Sequence, residues 1–168
     1  YSPYGVMKRV GELYTTSLNG LIVHFWNVYG IEKDMEKAHV ITDFIRKGFE
    51  TGVIDMMTDG TEAREFLYAE DCCEALETVM GNYDRLNSDD ELHITTGSHT
   101  TILEIAEIIK RLFSNIGKDV VIQPAESKDE VQKDARNVPD LYIQKFWRSK
   151  TSVKEGISKV FEEMKKDF

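Results

Sequence analysis

Apolar residues along this chain switch between two spacings. Val6, Val10, Leu13, Tyr14 and Leu18 recur near the helical period and predict a helix over residues 4–18, stopped at Asn19-Gly20. The apolar run at 21–26 reads as a short buried strand, and Asn27-Val28-Tyr29-Gly30 turns out of it. Val40, Ile41, Phe44, Ile45 and Phe49 predict a helix over 35–50, closed by Gly52. Residues 53–57 are a strand candidate, Asp59-Gly60 a turn, and Phe66-Leu67-Tyr68 a short extended piece. Asp71 is placed to N-cap a helix reaching Met80. Residues 92–95 read as a strand ending at Gly97. Thr101 and Glu104 then have the spacing of a capping box, ahead of a helix carrying Ile102, Ile105, Ile108, Ile109 and Leu112 on one face. A strand at 120–123 and an amphipathic helix over 151–166 complete the pattern. Strands alternating with helices indicate an α/β fold. No internal repeat or low-complexity segment interrupts it.

The 168 residues suffice for one domain with a real core, and 41% hydrophobic content is ordinary for a globular chain. Thirty acidic residues against 21 basic ones give a net charge of −9. That balance gives no general attraction for nucleic-acid backbones. An anionic small ligand would need locally placed Arg or Lys. No apolar run approaches the roughly 18 residues of a membrane-spanning helix. Cys72 and Cys73 are adjacent, which suits neither a metal site nor a mutual disulfide. They are expected to be reduced thiols of a cytoplasmic protein. His39, His93 and His99 show no metal spacing and are read as structural or solvated; Trp147 and Phe146 are read as core.

Candidate chemistry begins at Tyr4-Gly5-Val6-Met7-Lys8, a Tyr-x-x-x-Lys. On a helix, i and i+4 share a face about 5–6 Å apart. A lysine there stabilises tyrosinate, and such a phenol can exchange a proton with a sugar hydroxyl while hydride moves to or from a nicotinamide. The pattern is cheap, because Tyr29 and Lys33 form a second one. Context separates them: Tyr4 opens a long helix leading into an apolar strand, whereas Gly30 interrupts the register between Tyr29 and Lys33.

Five blocks in order carry a more specific signal. Residues 1–12, Tyr-Ser-Pro-Tyr-Gly-Val-Met-Lys-Arg-Val-Gly-Glu, resemble "SPYGxSKxxGE". His24-Phe25-Trp26-Asn27-Val28-Tyr29-Gly30 resembles "RFxNVYGP". Residues 59–71, from Asp59-Gly60 through Arg64-Glu65-Phe66 to Asp71, resemble "DGxxxRDFxYVxD". Ile94 to Gly97 with Thr101 to Ala106 resembles "NIGxG…TSIxELA". Arg136 to Asp140, Trp147 and Thr151 to Gly156 resemble "RxxPDxxK…GWxPxTSLEEG". Together they resemble the extended short-chain dehydrogenase/reductase family, in its NAD-dependent nucleotide-sugar epimerase/dehydratase branch.

That resemblance implies late elements of an NAD-binding Rossmann-type sheet plus a smaller C-terminal substrate-binding domain. The catalytic helix and a late Rossmann strand would occupy residues 1–30, and the substrate-binding part mainly 31–168. Tyr4 would be the general acid/base, and Lys8 its activator; both would touch the cofactor. Asn27 would hydrogen-bond the substrate, and Arg64 and Arg136 would clamp its diphosphate, as guanidinium forks suit phosphate. The implied partner is a nucleotide-diphosphate sugar, and a homodimer or other self-association is expected through the Tyr-bearing helix. The family's glycine-rich "GxxGxxG" does not occur, and the chain starts at Tyr1 rather than Met. The sequence is therefore read as the C-terminal part of a longer enzyme, inactive alone, with residues 1–30 exposing apolar faces that favour self-association, repacking or disorder. His24 stands where the family has Arg, Met7 where it has Ser, and Ile31 and Ser149 where it has Pro. A non-catalytic nucleotide-sugar-binding module and a reductase of a non-sugar substrate remain as alternatives.

Overall fold

A computed structural model describes residues 2–86, 91–129 and 138–168. The chain opens with α1 (Pro3–Ser17), where Ser2 accepts from the Gly5 N–H and Pro3 starts the helix without a donor to satisfy. Two short strands follow, β1 (Val23–Phe25) and β2 (Asn27–Tyr29), in place of the single strand expected over 21–26. They belong to different sheets: β1 pairs in parallel with β5 (Leu92–Ile94), and β2 pairs in parallel with β4 (Ala63–Tyr68). Trp26, between them, is the point where the chain changes sheets.

The helix expected over 35–50 splits into a 3-10 turn at Met35–Lys37 and α2 (Val40–Thr51). Gly52, left-handed at φ 70, closes α2 and turns the chain into β3 (Val53–Asp55). β4 runs into α3 (Ala69–Gly81). β6 (His99–Thr101) pairs antiparallel with β4, so the second sheet runs β2-β4-β6. Residues 99–101 were expected only as a helix opening. Their three-residue strand carries no period, and the ladder with β4 defines it. Thr101 and Glu104 form the expected capping box of α4 (Ile102–Asn115), and Ser152 with Glu155 does the same for α5 (Val153–Met164). β7 (Val121–Gln123) completes a third, parallel pair with β3.

The core falls into two clusters. One joins α2, α4 and α5 over β2 and β4, with Ile45, Ile105, Ile109, Phe113, Ile157 and Phe161 fully enclosed. The other packs α3 and the segment at 141–147 against β5, around Leu67, Ala75, Leu92, Ile94 and Ile143. Trp147 lies in this second cluster, as expected of a core residue, and donates from Nε1 to Glu74 at 3.4 Å. Cys72 is buried and Cys73 exposed, both free. Among the described residues no helix is long and apolar enough to cross a membrane.

α1 buries none of its side chains. Tyr4, Met7, Leu13, Tyr14 and Leu18 are all at least 60% exposed, and Phe25 on β1 is 53% exposed. The exposed apolar faces expected for residues 1–30 are present, on regular helix and strand.

Candidate functional site

Asn27 and Arg64 meet because β2 and β4 are neighbours. Asn27 sits opposite Phe66, and its Nδ2 donates to the backbone carbonyl of Glu65 at 3.1 Å. One amide N–H is thereby spent on positioning, which leaves a donor and the carbonyl oxygen for a ligand. Arg64 faces the same space. Both residues line two adjoining cavities of about 590 and 830 Å³, which also share Phe25 and Trp26. The smaller adds His24, His93 and His99; the larger adds apolar walls from Phe44, Phe66 and Ile102. Asn27 and Arg64 lie near the amino ends of β2 and β4, and Asn27 follows the carboxyl end of β1, the kind of strand end where α/β folds place ligands.

The cations here are already paired. The Arg64 guanidinium donates to the Asp129 carboxylate, whose side chain is only 12% exposed. Three bonds pin the segment that delivers Asp129. Ala125 N–H donates to Thr58 O at 3.0 Å, Asp59 N–H to Ser127 O at 2.7 Å, and the Ser127 hydroxyl to Met57 O at 2.8 Å. Lys47 lies 3.0 Å from both Asp43 and Asp55. Burial alone would lower the Lys47 ammonium, but its hydrogen bonds to those carboxylates raise it overall. Behind His39, which lines the larger cavity, burial pushes the Glu32 carboxyl up, while hydrogen bonds from His39 and Thr42 outweigh it and leave the group below its ordinary value.

Tyr4 and Lys8 share one face of α1, with Lys8 Nζ 5.5 Å from the Tyr4 ring centre. Neither lines the two cavities. The phenol hydroxyl and ammonium make a donor set that fits the nicotinamide-ribose end of a dinucleotide. Arg136, the second expected diphosphate clamp, lies outside the described residues. The rival pair dissolves: Tyr29 is 5% exposed and donates to Val153 O at 3.2 Å, locked between Phe66, Tyr68 and α5. Burial foremost, with the charges of Tyr68, Asp71 and Glu155, pushes its phenol well above the ordinary value.

Asp71 departs from its expected part as helix cap. Tyr68 holds the N-cap position of α3, and Asp71 sits in the first turn, buried. Its carboxylate accepts from Lys150 N–H at 2.9 Å, Thr151 N–H at 2.8 Å and the Thr151 hydroxyl at 3.0 Å. Asp71 thus ties α3 to the chain entering α5, a long-range role that local spacing cannot reveal.

Sequence reasoning passed over Glu65. It is 1% exposed, next to Arg64 in β4, and its side chain meets Thr95, Gly97 and His99. Alternation along a strand puts Arg64 and Glu65 on opposite faces, so one of the two charges must face inward, and that was the signal available. Among the described residues no cluster of three or more His, Cys, Asp or Glu could hold a metal ion.

Residues 1–95 match the NAD dependent epimerase/dehydratase family. A putative UDP-glucose 4-epimerase of Methanocaldococcus jannaschii is 32% identical over 98% of this chain and 53% of its own length. A GDP-L-fucose synthase of Sinorhizobium fredii is 29% identical over 81% of this chain and 44% of its own. Among solved structures, a UDP-glucose 4-epimerase of Thermotoga maritima with UDP-glucose aligns at TM-score 0.79 and 25% identity, covering 99% of this chain and 54% of that one. An epimerase of Methanothermobacter thermautotrophicus gives the same TM-score at 22% identity, covering 99% and 51%, which bears on fold alone. The chain spans about half the length of the curated relatives it matches.

Proposed function

The chain belongs to the NAD dependent epimerase/dehydratase family, and on that premise we propose that it is the C-terminal part of an NAD-dependent nucleotide-sugar epimerase or dehydratase. In this reading it contributes the acid/base pair and most of the sugar-nucleotide site, and it is inactive without the remainder of the enzyme. The observation that carries the reading is the meeting of Asn27 and Arg64, from separate sequence blocks, in one cavity of the β2–β4 sheet.

Each residue has a part. Tyr4 exchanges a proton with the sugar hydroxyl being oxidised or re-formed, and Lys8 stabilises the phenolate and holds a ribose hydroxyl. Tyr4 and Lys8 would hold the ribose end of NAD, and the bound cofactor would supply hydride acceptance and return there. Asn27 donates its remaining amide N–H to the substrate, and Arg64 grips the diphosphate with Arg136. Because Arg64 is paired with Asp129, the diphosphate displaces or shares that carboxylate on entry. The apolar walls of the larger cavity suit the flat face of a nucleoside base. Exposed α1 suits the expected homodimer. The relatives, named as epimerase and fucose synthase, and the Thermotoga enzyme solved with UDP-glucose, support a nucleotide-sugar substrate.

Calorimetric titration of UDP-glucose into the chain and its Arg64→Ala variant tests the reading. Loss of one charge-assisted clamp should weaken binding by about tenfold or more. Equal affinity would refute the diphosphate site and favour a reductase acting on a non-sugar substrate.

A further inference from the structure

The smaller cavity has a polar device that the roles above leave unused. Glu65 is 1% exposed on β4, directly opposite His99 on β6. Its Oε2 accepts from the Thr95 hydroxyl and from the Gly97 N–H at 2.8 Å. Its Oε1 has no hydrogen-bond partner and lies 3.6 Å from His99 Nδ1. A carboxylate buried this fully needs its charge compensated. Among the described residues His99 is the titratable group placed to do so. With Nδ1 turned to Glu65, Nε2 is the nitrogen left for the cavity, which His99 lines beside Asn27 and Arg64.

The neighbouring charges are otherwise engaged. Arg64 is paired with Asp129. His93 accepts from Trp26 Nε1 at 3.3 Å on Nδ1 and meets Glu91 at 3.1 Å through Nε2. His24 stands 4.0 Å from Glu12 of α1, and its ring is tilted against that of His93, centres 4.9 Å apart. His93 thus has both nitrogens occupied, while His99 has a buried carboxylate behind it and an open cavity in front.

We propose that His99, oriented by buried Glu65, is a ligand-contacting residue of this site, its protonated ring donating from Nε2 to a phosphate oxygen alongside Arg64. The proposal rests on reading the cavity as a nucleotide-diphosphate site. Its consequence is a sign: affinity is highest when His99 is cationic and falls as the pH rises and the ring loses its proton. The Oε1 left over in the resting protein then has a full counter-charge, and a histidine otherwise read as solvated becomes part of specificity for anionic ligands.

The test is calorimetry of UDP-glucose binding between about pH 6 and 8, across the titration of histidine. UDP-glucose is the probe because its diphosphate is esterified at both ends and keeps a constant charge in that range. Wild type should lose about tenfold in affinity from the acid to the alkaline end. His99→Gln should bind at the acid end as weakly as wild type does at the alkaline end, with a flat profile, and His93→Gln should keep the wild-type slope. Proton NMR of wild type guards against a misfolded variant: UDP-glucose should shift the His99 imidazole resonance. A slope that survives His99→Gln, or a His99 resonance indifferent to ligand, overturns the proposal while Arg64-dependent binding stands. No binding by wild type, or undiminished binding by Arg64→Ala, overturns the diphosphate reading and this proposal with it.

Discussion

Replacing Gly156 by alanine sets two effects of known sign against each other. Gly156 lies in the first turn of α5, and alanine for glycine in a helix ordinarily stabilises by about 1 kcal/mol. A Cβ at this position would sit 2.0 Å from the Tyr29 hydroxyl and 2.8 Å from its ring Cζ. The ring cannot retreat, because Phe66 and Tyr68 pack on it at 6.3 and 5.7 Å between centres. Overpacking costs about 1–3 kcal/mol, and the Tyr29–Val153 hydrogen bond, worth about 1 kcal/mol, would go with it. Gly156→Ala should therefore destabilise by about 1–3 kcal/mol after the propensity gain is subtracted. Tyr29→Phe alone should cost about 1 kcal/mol. In the double variant the 2.0 Å contact is absent and the ring contacts at 2.8 and 3.2 Å remain. The pair should thus be coupled by about 1 kcal/mol in the rescuing direction. Urea unfolding followed by tryptophan fluorescence gives all four corners of the cycle. A Gly156→Ala variant as stable as wild type, or strictly additive effects, would refute the steric argument.

Three further outcomes follow from the same structure. Asp71→Ala leaves the Lys150 and Thr151 amides without their acceptor and should cost about 3–5 kcal/mol, whereas Asp71→Asn, which keeps an acceptor oxygen, should cost clearly less; equal urea midpoints would count against the tie. Tyr29 holds its proton in the folded state beyond the ordinary 10.0, so its contribution is intact below that pH and is lost as pH rises through the folded value. The fall in stability above pH 10.0 should be shallower in Tyr29→Phe, and identical pH profiles would sink this. The apolar face of α1 should drive concentration-dependent self-association that Leu13→Glu weakens; light scattering showing a monomer for both proteins would argue against it.

What could be read in advance was whatever had a local period. α1, α2, α4 and α5 announce themselves because their apolar residues repeat at helical spacing, and the Thr101–Glu104 cap is a four-residue pattern. β6 was missed because three residues carry no period and pairing with β4 defines them. The break between β1 and β2 was missed for a related reason: apolar side chains continue across Trp26 while the ladder partner changes. At the site, Asn27 and Arg64 could be named from ordered motifs, and the structure brings them to one cavity. The parts played by Asp71, Asp129 and Glu65 depend on partners far along the chain. No window of sequence contains both halves of those contacts.

The three parallel pairings, β1 with β5, β2 with β4 and β3 with β7, are each three residues long and join distant segments. Ladders so short are too weak to form ahead of the cores they border, and closing the intervening loops costs entropy before any contact repays it. Refolding of this chain should accordingly be slow and cooperative, with the Asn27–Arg64 cavity absent until the last crossovers close. Recovery of UDP-glucose binding after dilution from urea would then lag behind helix formation seen by circular dichroism, making the ligand a clock for the final stage of folding.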